Sequence, residues 1–350
     1  MIKILFFNIT HISHDRGSEK WIKTIATYLS DKYDVTVITT DIHKSYDIKN
    51  TKFKYFEIKY KKRFIGFYDI NEMKKYIDDF DVIYSMYGWT GIEIKLLRYF
   101  NYNKMIFGHH SLINNTAQRT YYILIERLPF IKKAYHHLLT EYRANIYKRK
   151  GYKRIFVIPN WIEINKYIPK DKENEIFEII CPGVVNIDKG IDILIKVAKR
   201  LQNYKDIKFF IAGHKPEINK LPNNIYYLGM LSEDEYIKII SSKNLMFLPT
   251  RADIFPFSTL ENLAIGNPVV VSNLPDVISA FGESESIYYA KLGDIDDYIK
   301  GILYYYNIWK SNLEKYHELS KKARDIALKF DSKIVLPKIE KMFRTVYKNI

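Results

Sequence analysis

The 350-residue sequence contains one cysteine, Cys181. That excludes an intrachain disulfide and makes a reducing compartment the expected setting. Long apolar runs are also missing. No stretch approaches the roughly 20 residues needed to span a bilayer. Ile4-Leu5-Phe6-Phe7 is too short for a signal-peptide core and has no small-residue cleavage site after it. The expectation is a soluble cytoplasmic protein, or one held peripherally at the inner membrane face. Metal-ligand spacing is absent as well. His136-His137 has no Cys, Asp or Glu cluster at a suitable interval. Asp294-Ile295-Asp296 falls at an expected helix start, where it reads as capping.

What is present fits a globular chain. It is 47% hydrophobic and 27% charged, and its length suits two domains, each with its own core. Against 40 acidic residues stand 55 lysines and arginines, giving a net charge of +15. A field of that sign favours anionic partners: nucleotide sugars, acidic lipid headgroups or nucleic acid. Lys, Ile, Asn and Tyr are abundant throughout, so general compositional bias accounts for the excess equally well.

The most informative stretch runs from Arg251 to Asp276. Leu245 to Leu248 is a short apolar run closed by Pro249, as expected of a buried parallel strand. Ser258-Thr259-Leu260-Glu261 has the spacing of a capping box. The helix it predicts is about two turns long and ends at Gly266 and Pro268. Val269 to Val271 is the next strand. Ligands of open parallel sheets bind beyond the carboxyl ends of the strands. Asp253 and Glu261 are therefore expected in a strand-to-helix crevice, beside helix amides that favour an anion.

Asp253-Ile254-Phe255-Pro256 through Glu261, with Gly266, Pro268 and Val269-Val270, resembles the E-x7-E signature of retaining glycosyltransferases of family 4. Asp253 stands where the first Glu is usual and is one methylene shorter. The resemblance implies a GT-B fold, with two doubly wound α/β domains of parallel sheet facing a central cleft and a C-terminal helix returning to the first domain. The expected divisions are 1–162 for the acceptor-side domain, 163–328 for the nucleotide-sugar domain and 329–350 for the returning helix.

Along the first half, Lys3 to Ile9 reads as a buried strand and Ser18 as a helix N-cap. Ile22, Ile25, Ala26 and Leu29 form the stripe of a helix packed on a sheet. Val35 to Thr39 is the next strand, and this βαβ opening argues for a doubly wound sheet. Gly17 resembles one glycine of the family's Gly-Gly-x-Glu loop, which lies near the donor phosphates; Arg16 takes the other place. Residues 52–68 are basic and aromatic. They suit an acidic membrane surface, a nucleic acid, or simply a strand and a solvated loop. Strands are expected at Asp81 to Ser85 and Met105 to Phe107, with a helix around Ile92 to Phe100. His110 falls on the histidine of the family's Thr-x-His-like element, where an imidazole contacts the transferred sugar or orients the acceptor; His109 is its competitor. Thr120 to Tyr135 reads most simply as a helix broken by Pro129.

Ile155 to Glu163 resembles the family's VIPNGVD segment between domains, with Trp161 replacing Gly. Gly183 to Gly190 resembles G-R-L-x-x-x-K-G. Lys189 falls on the lysine that binds donor phosphate, and Val184 on the usual Arg. The helix after it is expected to bury Ile191, Leu194, Ile195 and Ala198. Glycine turns at Gly213 and at Gly229-Met230 match those lining the family's nucleotide pocket. By the same resemblance, Glu261 accepts from the ribose hydroxyls and Asp253 faces the sugar. The amides of Phe257, Ser258 and Thr259 hold the diphosphate. Val335, Ile339, Met342, Phe343 and Val346 make one apolar stripe on the last helix.

The activity implied is transfer of a hexosyl group from a UDP- or GDP-linked sugar to an acceptor hydroxyl, with retention of configuration and no required cofactor or metal. The acceptor would be a glycan, a glycolipid or another hydroxyl compound, and nucleic acid is not favoured. Alternatives are a sugar-nucleotide epimerase, or a non-catalytic binder of anionic lipid or nucleic acid.

Overall fold

The computed structural model describes residues 1–7, 17–39, 54–57, 78–86, 101–110, 131–169, 175–215 and 220–350. The chain divides into two compact units. One comprises Met1–Pro159 with Val335–Ile350, and the other Asn160–Ile334. These breaks differ by a few residues from the divisions expected at 162/163 and 328/329.

In the first unit, strands β1 (Lys3–Phe7), β2 (Asp34–Thr39), β3 (Lys54–Glu57), β4 (Val82–Met86), β5 (Met105–His109), β6 (Tyr135–Leu138) and β7 (Ile155–Val157) form one sheet. Its order is β3-β2-β1-β4-β5-β6-β7, with every neighbouring pair parallel. Helix α1 (Gly17–Ser30) buries Ile22, Ile25, Ala26 and Leu29 completely. It begins two residues earlier than the capping pattern suggested, so Ser18 lies inside the helix rather than at its N-cap. At the end of the stretch expected to be a proline-broken helix, Ile131–Lys133 form a 3-10 turn and β6 begins at Tyr135. The sequence there, Tyr-His-His-Leu, is buried throughout, and its two histidines hide a strand signal that four aliphatics would have made plain. Helix α2 (Glu141–Arg149) follows, capped by the Thr140 hydroxyl accepting from the Arg143 amide at 3.2 Å. The helix expected around Ile92 to Phe100, most of 52–68, and Thr120 to Phe130 lie outside the described residues.

The second unit repeats the plan. Its strands are β8 (Phe177–Pro182), β9 (Ile207–Ala212), β10 (Ile225–Gly229), β11 (Leu245–Leu248), β12 (Val269–Ser272) and β13 (Ile287–Ala290). They run in the order β10-β9-β8-β11-β12-β13, again parallel at every pair. Both sheets thus reverse direction of strand order beside their first strand, β1/β4 and β8/β11. That is the switch point at which such sheets leave a crevice for a ligand. Helix α3 (Ile191–Arg200) buries Ile193 and Val197 with Ile191, Leu194 and Ala198. Ile195, expected on that face, is only half-buried.

After α4 (Glu233–Ile240), α5 (Phe257–Ile265) and α6 (Pro275–Phe281), the chain ends in α7 (Ile295–Ser311), α8 (Leu313–Leu328) and α9 (Ser332–Lys348). Asp294 caps α7, its side chain accepting from the Asp297 amide at 3.2 Å, as its spacing predicted. From Val335 onward α9 belongs to the first unit. Its stripe of Val335, Ile339, Met342, Phe343 and Val346 is buried there. The Phe343 ring lies 5.5 Å from Phe6 and 5.8 Å from Tyr84. Above that stripe, Glu340 accepts hydrogen bonds from Tyr28 at 3.2 Å, Lys32 at 2.8 Å and Tyr33 at 2.9 Å. Among the described residues no helix is long and apolar enough to cross a membrane.

Candidate active site

The switch point of the second sheet is framed by the loops after β8 and β11. In the first of these, Gly190 has φ +82°, and a Cβ there would stand 2.1 Å from the Pro249 carbonyl oxygen. Only glycine allows the loop to close against the end of β11 in that left-handed conformation. The Arg251 amide donates to Asp188 O at 2.8 Å, tying the two loops together. The Arg251 guanidinium clamps Asp192 through two bonds of 2.8 Å and also donates to Ile187 O. This fork holds the Asp192 carboxyl below its usual range, chiefly by hydrogen bonding.

Across the same junction, Lys189 Nζ stands 2.9 Å from both carboxylate oxygens of Asp253. The Lys189 side chain is 38% exposed and that of Asp253 18%, so the pair sits at the surface of the crevice rather than in the core. Val184, in the position of the family's Arg, is fully buried. It therefore contributes packing where the family places a charge.

Helix α5 starts differently from its sequence pattern. Pro256 is the N-cap, with no side-chain capping bond, and Ser258 and Glu261 lie inside the helix. The expected Ser258–Glu261 capping box is not formed. Pro256 wins because its fixed φ, here −67°, suits the turn into the helix and starts it two residues earlier. The start of a helix directs the positive end of its dipole outward, which favours an anion there. Asn160 Nδ2 donates to Phe255 O at 2.9 Å, fixing the approach to this helix. The Trp161 ring meets Phe257 edge-on at 6.2 Å. Trp161, where the family has Gly, is thus a packing residue at the helix start.

Glu261 is 9% exposed, and Tyr167 donates its hydroxyl to Oε1 at 3.3 Å. Burial first, and then the Glu261 charge, push the Tyr167 hydroxyl pKa well up, so it remains a donor. Asn160 was marked in the sequence only as part of the VIPNGVD-like segment, and Tyr167 by no signal at all. Ser258 is half-buried, and its carbonyl accepts from Asn262 Nδ2 at 2.9 Å. Thr259 is fully buried, and among the described residues its hydroxyl has no hydrogen-bond partner.

The strand-end glycines lie side by side. Gly183 N donates to Ala212 O at 2.7 Å, and Gly213 N to Gly229 O at 2.9 Å. Gly213, at φ +138°, has room for a Cβ only 3.4 Å from Gly183 Cα. Met230 follows as an exposed side chain, 60% accessible.

In the first unit, Gly17 is the first residue of α1, while the preceding loop, 8–16, lies outside the described residues. His110 follows β5 and is partly exposed. Its Nε2 is 2.7 Å from the Tyr84 hydroxyl, which is also 2.7 Å from His137 Nδ1. His109 is buried, with Nε2 2.9 Å from His136 Nδ1 and Nδ1 3.2 Å from the Tyr147 hydroxyl. Desolvation, with the neighbouring His137, lowers the pKa of His110, so the ring is neutral near pH 7. Among the described residues no group of three or more His, Cys, Asp or Glu side chains could hold a metal ion.

Residues 163–326 match the family described as glycosyl transferases group 1. The chain is similar over its whole length to solved structures of the GT-B fold. Sucrose-phosphate synthase from Thermosynechococcus elongatus aligns over 100% of both chains, with a TM-score of 0.80 at 13% identity. Anabaena HepE, solved with UDP-glucose, aligns over 99% of this chain and 100% of its own, with a TM-score of 0.77 at 14% identity. The fold is thus GT-B, and residues 163–326 are similar to the group 1 glycosyltransferases. Among curated relatives, the Campylobacter jejuni N,N'-diacetylbacillosaminyl-diphospho-undecaprenol alpha-1,3-N-acetylgalactosaminyltransferase is 25% identical over 54% of either chain. Alpha-galactosylglucosyldiacylglycerol synthase of Streptococcus pneumoniae is 23% identical over 52% of this chain and 53% of its own. The match spans about half the length of these relatives.

Proposed function

We propose that the protein is a metal-independent retaining glycosyltransferase that moves a hexosyl group from a nucleoside-diphosphate sugar to an acceptor hydroxyl. The observation that carries this reading is the Lys189–Asp253 pair at the β8/β11 switch point, 2.9 Å across, on loops bordering the uncapped start of α5. A cation and a helix N-terminus suit a diphosphate, and a carboxylate beside them suits sugar hydroxyls. Lys189 and the amides of Phe257, Ser258 and Thr259 hold the diphosphate. Glu261 accepts from the ribose, and Gly183 and Gly213 let the nucleotide approach the backbone closely. Met230 lines the base side, and Asp253 orients the sugar.

In the first unit, Gly17 opens a helix whose N-terminus favours negative charge, and His110 meets a hydroxyl of the reactants. The acceptor oxygen bonds to the anomeric carbon as the bond from that carbon to the diphosphate oxygen breaks. The departing diphosphate takes the acceptor proton. Lys189 and the helix dipole stabilise the charge that develops on it. Two curated relatives are named for lipid-linked acceptors, which supports a glycolipid or lipid-linked glycan here. A cytoplasmic location with peripheral membrane contact accords with that acceptor class and with the net charge of +15.

The test is to incubate the protein with UDP- and GDP-sugars, with and without glycolipid acceptors, and to follow the anomeric proton by NMR. Release of nucleoside diphosphate with a product of unchanged anomeric configuration supports the reading. Inverted product, or epimerised donor with no transfer, refutes it.

A further inference from the structure

A chain of hydrogen bonds crosses the first sheet from β5 to the end of β7, and its direction is fixed by chemistry. His137 Nε2 lies 2.8 Å from Ile158 O. A carbonyl oxygen only accepts, so Nε2 carries a proton. His137 is fully buried and its pKa is lowered to about 4, so near pH 7 the ring is neutral and Nδ1 holds a lone pair. The Tyr84 hydroxyl, 2.7 Å away, must donate its one proton to that Nδ1. It then has only lone pairs for His110 Nε2, also at 2.7 Å, so Nε2 of His110 is the donor. The remaining ring nitrogen, His110 Nδ1, is therefore an acceptor, and among the described residues no hydrogen bond occupies it.

The packing is built around this chain. Gly108, next but one before His110, has no room for a side chain: a Cβ there would stand 2.0 Å from the Tyr84 hydroxyl. Trp21 stacks on the Tyr84 ring at 4.8 Å and 20°, and its ring centre is 4.7 Å from that of His110. Successive residues of a strand face opposite sides of the sheet. His109 and His136 accordingly form a separate chain. His136 Nε2 donates to Ile131 O at 2.9 Å and His109 Nε2 to His136 Nδ1 at 2.9 Å, while Tyr147 donates to His109 Nδ1 at 3.2 Å. That second chain uses both nitrogens of both rings. Among the described residues, the first ends at a histidine with one nitrogen to spare.

We propose that Tyr84 and His137 are positioning residues that lock His110 in the Nε2–H tautomer, so that its Nδ1 accepts a hydrogen bond from a hydroxyl of the bound sugar or acceptor. The inference rests on the transferase reading for the identity of the hydroxyl; the tautomer itself does not depend on that reading. A lone pair at this point selects a hydroxyl and repels a phosphate oxygen.

The tautomer is read by two-bond proton–nitrogen correlation spectra of the full-length protein labelled with ¹⁵N-histidine, without nucleotide, with His110→Gln assigning the resonance. The wild type should show His110 with Nε2 protonated and Nδ1 bare. Tyr84→Phe, which keeps the stacked ring, should give a mixture of tautomers and lower kcat about tenfold with little change in donor KM, as expected for loss of one aimed hydrogen bond. His137→Phe frees the Tyr84 proton to point at His110, so Nδ1 should become the protonated nitrogen. That reversal is not expected of side chains that merely fill the core. A wild-type His110 protonated at Nδ1, or spectra unchanged in both variants, would overturn the proposal. Spectra as expected in a protein that uses no nucleotide sugar would instead refute the transferase reading and leave the tautomer lock standing.

Discussion

Lys189 and Asp253 neutralise each other, with Nζ held 2.9 Å from both carboxylate oxygens. The two lie 64 residues apart on loops that meet only because β8 and β11 are neighbours at the switch point. On the proposed transferase reading, a donor diphosphate reaching Lys189 would compete with Asp253 for the ammonium group, and its binding would release the carboxylate for the sugar.

The two halves of this pair should separate in binding experiments. Lys189→Ala is expected to weaken nucleoside-diphosphate binding about tenfold or more, the value of a charge-assisted hydrogen bond. Asp253→Asn should leave that binding equal or tighter, yet cut transfer by about two orders of magnitude. Calorimetry and initial rates distinguish them; weaker diphosphate binding in Asp253→Asn would contradict the competition.

Neither change should unfold the protein. The pair is partly exposed, and exposed ion pairs are worth about 0–1 kcal/mol. Melting temperatures of both variants are expected within roughly 3 °C of the wild type by differential scanning calorimetry.

Gly190→Ala should behave otherwise. A side chain at φ +82°, aimed 2.1 Å from the Pro249 carbonyl oxygen, cannot be relieved by a rotamer change. We expect a loss of about 2 kcal/mol or more in urea unfolding, with donor binding lost alongside.

Phe343→Ala removes a ring packed on Phe6 and Tyr84 at 1% exposure. Buried Phe-to-Ala changes cost about 3–5 kcal/mol. Proteolysis should then cleave the 335–350 segment before the rest of the chain.

Acid should destabilise the first unit in a defined window. Burial lowers the pKa values of both His136 and His137 to about 4 in the folded state, from 6.5. The unfolded chain therefore binds more protons between those values. Stability from these rings is fully present above about pH 6.5 and is lost as pH falls towards 4, by up to roughly 3 kcal/mol for each ring. Urea unfolding at pH 7 and pH 5 measures it; equal stability at the two values would contradict the burial of neutral rings.

Much of the fold was legible because its signals are local. The stripe on α1, the aliphatic strands β8, β11 and β12, and the Asp294 cap each follow from residues within one element. Strand β6 was not, since Tyr135-His136-His137-Leu138 owes its burial to partners on β4, β5 and the end of β7. The Ser258–Glu261 capping pattern misled because Pro256 begins the helix first. At the candidate site, Lys189, Asp253 and Glu261 stood out by their resemblance to the motifs of family 4 glycosyltransferases. The roles of Tyr167, Asn160 and Tyr84 did not, because each acts on a residue 94, 95 or 26 positions away and no local pattern records such a pairing.

The most direct test is isothermal titration of UDP and GDP, without metal and then with Mg²⁺, into the wild type, Lys189→Ala and Glu261→Ala. One nucleoside diphosphate should bind the wild type without metal and bind each variant at least about tenfold more weakly. Absence of binding by either nucleotide, or binding indifferent to both substitutions, would contradict a nucleotide-sugar site at the β8/β11 switch point.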